Sequence, residues 1–229
     1  MFVSYGYINE LIDRRPKLVV CKTEIQKLCD ILIECYRGGG KVLVCGNGGS
    51  CSDADHIVGE LMKGFKYKRE LSEKMKNKLR LVSEGFGSEL ADKLQTPLPA
   101  INLCEHAALN TAFGNDVNGE MAFAQQVLGY ADKGDVFIGI STSGNARSVA
   151  YAAVTAKAKG ALLVGFTGKS GGIMHECGLY EVLVQVPESE TYRIQEEHIA
   201  VYHVVCLAVE EALMKDYLTN EIFTIKAFS

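Results

Sequence analysis

Hydrophobic positions along the chain alternate between two rhythms. Residues 7–13 and 19–36 carry helical spacing, with Leu28, Ile31, Leu32 and Cys35 at i, i+3, i+4 and i+7. Gly38-Gly39-Gly40 ends the second stretch. Short apolar runs follow at 42–44, 100–103, 135–140, 161–166 and 180–186, and each reads as a buried strand. Helical stretches lie between them. Ala54, Ile57, Val58 and Leu61 follow the first strand, with Ser52 or Asp53 expected as the helix cap. Phe86, Leu90 and Leu94 fall four apart within 84–95, before Thr96-Pro97-Leu98-Pro99 breaks the pattern. Residues 107–113, 121–128, 146–154 and the long 191–214 are helical in the same sense.

Strands alternating with helices predict an α/β fold. The expectation is one three-layer domain over 1–229, its five-stranded parallel sheet flanked by helices. The common doubly wound order 2-1-3-4-5 sets strands one and three side by side at the topological switch point. Residues 1–40 would be N-terminal helices and 63–96 a basic helical insertion. In 63–80, eight Lys or Arg face two acids, Glu70 and Glu73, while Leu71, Met75 and Leu79 stay at i, i+4 and i+8. That pattern predicts a basic amphipathic helix, read either as a solvated face or as a rim attracting an anionic substrate.

The net charge of −4 gives no reason to expect nucleic acid as a partner. No stretch of 18 apolar residues suggests a membrane span, and the N-terminus lacks a signal-peptide pattern, so a cytoplasmic location is the default expectation. Most of the eight cysteines, Cys21, Cys29, Cys35 and Cys206 among them, sit in apolar segments and read as small core residues. Cys45 and Cys51 flank a glycine loop, but C-x5-C is poor zinc spacing.

Two loops carry the candidate chemistry. Gly46-Asn47-Gly48-Gly49-Ser50 between strand and helix is either a plain turn or a cradle for an anion at a helix start. It matches neither GxGxxG nor GxxxxGK[ST]. Ser141-Thr142-Ser143-Gly144-Asn145 offers hydroxyls at another helix mouth, either as a cap or as a seat for a phosphomonoester. The predicted strand order sends both loops into one crevice. His56 and Glu60 lie four apart on one helix, Gln195 and His203 eight apart on another. Each pair can be a surface feature, or the two helices can close around a divalent ion. Glu196 could replace Gln195 beside His203, and His198 is expected to be an exposed or interface histidine.

The stretches CGNGGSCSDADHIVGEL, GISTSGN and RIQEEHIAVYH, in this order, resemble the sugar isomerase (SIS) domain family, most nearly its phosphoheptose isomerases. The likeness covers nearly the whole chain except about 63–96. It implies a SIS fold of flavodoxin-like order and an aldose–ketose isomerase. The implied reaction runs from sedoheptulose 7-phosphate to D-glycero-D-manno-heptose 7-phosphate through an enediolate. It implies Zn2+ or a similar divalent metal on His56, Glu60, Gln195 and His203, with Glu60 and His203 transferring protons. Substrate contacts would come from Asn47, Gly48, Gly49, Ser50, Asp116, Ser141, Thr142, Ser143 and Gln195. It implies a homotetramer with shared active sites, for which the apolar first helices and final helix would supply faces. Ala146 stands where the family has a phosphate-binding serine, and Tyr192 where some members have an aspartate. An isomerase of another phosphosugar, or a non-catalytic SIS module that senses a sugar phosphate or binds a protein, are the alternatives.

Overall fold

The computed structural model describes residues 5–219; the outermost residues of the expected 1–229 domain, 1–4 and 220–229, lie outside it. Strands β1 (Val42–Gly46), β2 (Ala100–Asn102), β3 (Val136–Ile140), β4 (Leu162–Thr167) and β5 (Val182–Gln185) form one sheet in the order β2-β1-β3-β4-β5. All pairings are parallel, as the alternation of elements predicts. Side chains along a strand alternate faces, so each strand feeds two cores. Val42, Val44, Val136, Ile138, Val164 and Phe166 face helices α1 (Gly6–Arg14), α2 (Lys22–Arg37), α3 (Gly49–Met62) and α10 (Thr191–Thr219). Leu43, Cys45, Phe137 and Leu163 face α7 (Ala122–Tyr130) and α8 (Arg147–Ala158). Cys21, Cys29, Cys35, Cys45 and Cys206 are buried thiols, in keeping with their reading as core residues. No described helix is long and apolar enough to cross a membrane.

Three expectations are corrected. The second helix does not begin at Val19: a 3-10 helix, Pro16–Cys21, precedes α2, which starts at Lys22. The basic stretch 63–80 is not one helix. Residues 63–72 are irregular, and Glu70 makes an isolated antiparallel bridge with Gln95. Helix α4 (Glu73–Val82) begins only after Ser72, whose hydroxyl accepts from Met75 N, and it packs in a hairpin with α5 (Glu84–Lys93). The reason lies on α10, where the Glu210 carboxylate accepts from the main-chain N–H of Phe65, Lys66 and Tyr67. Those donors are therefore drawn to a distant side chain and away from a helical ladder. Third, the apolar faces of α1, α2 and α10 are buried within the single chain, not left over for assembly. Large exposed apolar side chains stand on α4, α5, α6 (Ala107–Phe113), α7, α8 and α9 (Gly172–Glu176), on the 3-10 helix at Val19 and Val20, and on α10 only at Tyr192 and Ile199 among its described side chains.

Candidate active site

The register sets Gly46 opposite Ile140, so the loops leaving β1 and β3 start side by side. Gly48, at φ 57°, turns the first loop directly into α3. That helix therefore begins at Gly49, and Asp53, expected as a cap, lies inside it and is buried. Ser50 is buried, while Asn47, Gly48 and Gly49 are exposed at the loop surface. Asn47 Nδ2 donates to Ser148 Oγ at 3.0 Å, tying the first loop to α8 behind the second. In the second loop Ser141 is buried, Thr142 half-buried and Ser143 exposed. Ser143 Oγ accepts from Asn145 N at 3.2 Å, and Asn145 Oδ1 accepts from Ile173 N at 3.0 Å. Gly144 must be glycine: its φ is 70°, and a Cβ there would sit 1.9 Å from the Gly171 carbonyl oxygen.

Below the first loop, α3 presents Asp53, His56 and Glu60 at i, i+3 and i+7, one continuous face. Helix α10 crosses that face with Tyr202 and His203. His56 Nε2 lies 3.2 Å from Glu60 Oε1 and 3.3 Å from His203 Nε2. One ligand atom from each of these three residues falls within 4.8 Å of the other two. Glu60 Oε2 is buried without a hydrogen-bond partner, and Lys63 Nζ stands 4.0 Å from it. Two imidazoles and a carboxylate with an unsatisfied buried oxygen suit zinc or a similar divalent ion. Burial holds the His203 pKa below the ordinary histidine value, with His56 adding to the shift and Glu60 opposing it. Burial pushes the Asp53 carboxyl up to about 6, against the pull of the Tyr202 hydroxyl and His56.

The remaining expected residues fall elsewhere. Gln195 lies two helical turns before His203 on α10, and its amide rests over Gly49: a Cβ there would meet Gln195 Nε2 at 2.2 Å. Asp116 is exposed in a π-helical turn, Gly114–Asn118, and accepts from Asn115 Nδ2 at 2.7 Å. Among the described contacts of the chain, none joins Asp116 to the loops or the trio. His198 is corrected outright. It is fully buried, its Nε2 donates to the Thr167 carbonyl at 3.2 Å, and burial lowers its pKa to about 4. Its place on α10 turns it to β4, where Phe166 packs edge-on against the ring.

Sequence reasoning passed over Asp53 as a buried acceptor, and also Tyr202, Ser148, Arg69 and Glu210. Asp53 could have been found from its i, i+3, i+7 spacing with His56 and Glu60, and Tyr202 from its place beside His203. Arg69 was counted with the basic run, yet it is 3% exposed, and Nη2 donates to the Leu61 carbonyl at 2.8 Å. Its Nε lies 3.4 Å from Glu210 Oε1.

Comparisons with known proteins bear on the family and the fold. Models of the SIS domain match residues 6–80 and 111–207. A phosphoheptose isomerase of Burkholderia pseudomallei is 39% identical over 189 residues, 82% of each chain. One of Helicobacter hepaticus is 36% identical over 214 residues, 93% of this chain and 95% of its own. Among solved structures, the phosphoheptose isomerase GmhA from Neisseria gonorrhoeae superposes with a TM-score of 0.68 at 28% identity. That match covers 90% of this chain and 96% of the other. A phosphoheptose isomerase from Francisella tularensis gives the same TM-score at 26% identity, over 90% and 95%.

Proposed function

The chain belongs to the SIS domain family, among the phosphoheptose isomerases, and from that premise we propose that it interconverts sedoheptulose 7-phosphate and D-glycero-D-manno-heptose 7-phosphate through an enediolate. The observation that carries the reading is the meeting of His56, Glu60 and His203 from two helices, beside two loops of the phosphate-binding kind. A non-catalytic sugar-phosphate binder would need the loops but has no use for that trio.

The residues divide the work. Ser141, Thr142 and Ser143 are assigned to the phosphate, as neutral donors at the start of α8. Asn47, Gly48, Gly49, Ser50 and Gln195 are assigned to the sugar, the Gln195 amide being already held over Gly49. Isomerisation moves a proton between C1 and C2, so it needs a base over carbon and a group serving the oxygens. Glu60 is assigned as the base, with Oε2 as the accepting atom, since that oxygen has no hydrogen-bond partner. His203 serves the sugar oxygens; burial lowers its pKa and so favours the neutral imidazole, which can donate to a developing oxyanion. His56, Glu60 and His203 would hold the metal, with Gln195 as the fourth ligand. Zn2+ or a similar ion bound there supplies Lewis-acid polarisation of the carbonyl and stabilises charge on the enediolate oxygens.

A homotetramer in the cytoplasm belongs to the same proposal. The exposure of Asp116 supports a contribution to a neighbouring subunit's site. The deciding experiment is a coupled assay of purified protein against a panel of ketose phosphates, with and without added zinc. The expected result is metal-dependent turnover, fastest with sedoheptulose 7-phosphate. Faster turnover of a different ketose phosphate would move the substrate to another phosphosugar. No turnover of any, by folded and zinc-loaded protein, would end the isomerase reading.

A further inference from the structure

Behind the trio lies a second set of contacts. Tyr202 OH donates to Asp53 Oδ1 at 3.3 Å, and the same hydroxyl oxygen stands 3.0 Å from His56 Nδ1. Tyr202 is 2% exposed and Asp53 8%. With its proton on Asp53, the hydroxyl has only lone pairs left for the imidazole, so His56 must carry its proton on Nδ1. Nε2 of a neutral His56 is then a bare lone pair. It points at Glu60 Oε1, 3.2 Å away, and at His203 Nε2, 3.3 Å away. With His203 also bare at Nε2, as a metal ligand must be, three electron-rich atoms converge on one point, and a cation there would relieve their repulsion.

We infer that Tyr202 and Asp53 are positioning residues for the metal centre: the chain Asp53–Tyr202–His56 fixes the imidazole's tautomer and aims Nε2 at the point shared with Glu60 and His203. This rests on the reading of that trio as a divalent metal site. Both helices contribute to both layers. Asp53 precedes His56 by one turn of α3, and Tyr202 is next to His203 on α10, so helix packing that brings the ligands together also assembles their support. Partners of this kind behind a ligating histidine typically account for 10–100-fold in metal affinity or activity.

The test uses the full-length protein and two conservative variants. Tyr202→Phe keeps the ring and removes only the hydroxyl. Asp53→Asn keeps the shape, but its amide can donate to the tyrosine oxygen and so turn the hydroxyl proton towards His56. Zinc affinity is measured by competition with a chromophoric chelator, and the His56 tautomer by 15N NMR of labelled imidazole in the metal-free protein. In the unaltered protein His56 should carry its proton on Nδ1. Tyr202→Phe should weaken zinc binding 10–100-fold and abolish the preference for that tautomer. Asp53→Asn should move both in the same direction by less. At saturating zinc, Tyr202→Phe should regain most of its kcat with KM for sugar phosphate unchanged, which a general loss of structure would not allow. Zinc affinity within twofold of the unaltered protein in both variants overturns the inference, as does a Nδ1-bare His56 in the unaltered protein. Affinity and tautomer are read without any sugar, so they stand apart from failure of the isomerase assay.

Discussion

Arg69 and Arg80 belong to one basic run, and each meets an acid, yet they live in different regions of the molecule. Arg69 is buried where α3 ends against α10, and its partner Glu210 is 2% exposed and also takes three main-chain N–H groups. Arg80 stands on the α4–α5 hairpin, 3.4 Å from Asp92, with the two side chains 41% and 71% exposed. No residue of α4 is buried, and Leu81, Val82 and Phe86 are 87%, 87% and 79% exposed. At the seam, the same clasp fixes Phe65, whose ring lies 5.7 Å from that of His203. The seam thus couples charge, main chain and site, whereas the hairpin hangs from it by few constraints. The lesson is that a pair of opposite charges has no fixed worth. Its effect depends on whether water is there to replace the partner.

The strongest test of the seam is chemical. Glu60→Gln keeps shape and a ligand oxygen but cannot accept a proton from carbon, so turnover should fall by about 10²–10⁴. Sugar-phosphate binding should survive, and solvent-deuterium exchange at the substrate carbon should vanish with turnover. Near-normal exchange would leave Glu60 as a ligand only and move the base to His203.

Next comes the clasp. Glu210→Leu leaves Arg69 buried without its counter-ion and three N–H groups without their acceptor, at a cost of about 3–5 kcal/mol. Arg69→Met should cost less, because the carboxylate keeps its three N–H donors. Urea unfolding of both variants decides this, and equal losses would mean that the carboxylate is not the centre of the seam.

His198 gives a pH signature of the same region. Its folded pKa, about 4, lies below the ordinary 6.5, so below pH 6.5 the unfolded chain binds a proton that the folded chain refuses. Stability from this group is complete above pH 6.5 and is lost as pH falls to about 4, by roughly 3 kcal/mol in all. The difference in unfolding free energy between the unaltered protein and His198→Gln should therefore change by that amount across the window. A constant difference would show that the histidine is not held neutral.

The smallest effect belongs to the hairpin. Arg80→Ala should change stability by under about 1 kcal/mol and leave turnover unaltered. A larger loss would put the hairpin on a par with the seam and dissolve the contrast.

Much of this was legible from neighbouring residues alone. The alternation of strand and helix patterns predicted five parallel strands, the common doubly wound order supplied their arrangement, and the two loops were visible at the ends of β1 and β3. His56 and Glu60 share a face because a helix repeats every 3.6 residues, whatever surrounds it. What local pattern cannot carry is the choice of partner across the fold. Tyr202 and Asp53 are 149 residues apart, and Phe65 and Glu210 are 145 apart. Those meetings follow from how α10 crosses α3, which is set by packing over the whole core. The same crossing turned His198 inward and drew Arg69 out of its basic run into the interior. It also carried Gln195 over Gly49, two turns from His203. Sequence spacing determined which groups could share a helix face; only tertiary packing decided which faces would meet and which charges would lose their water.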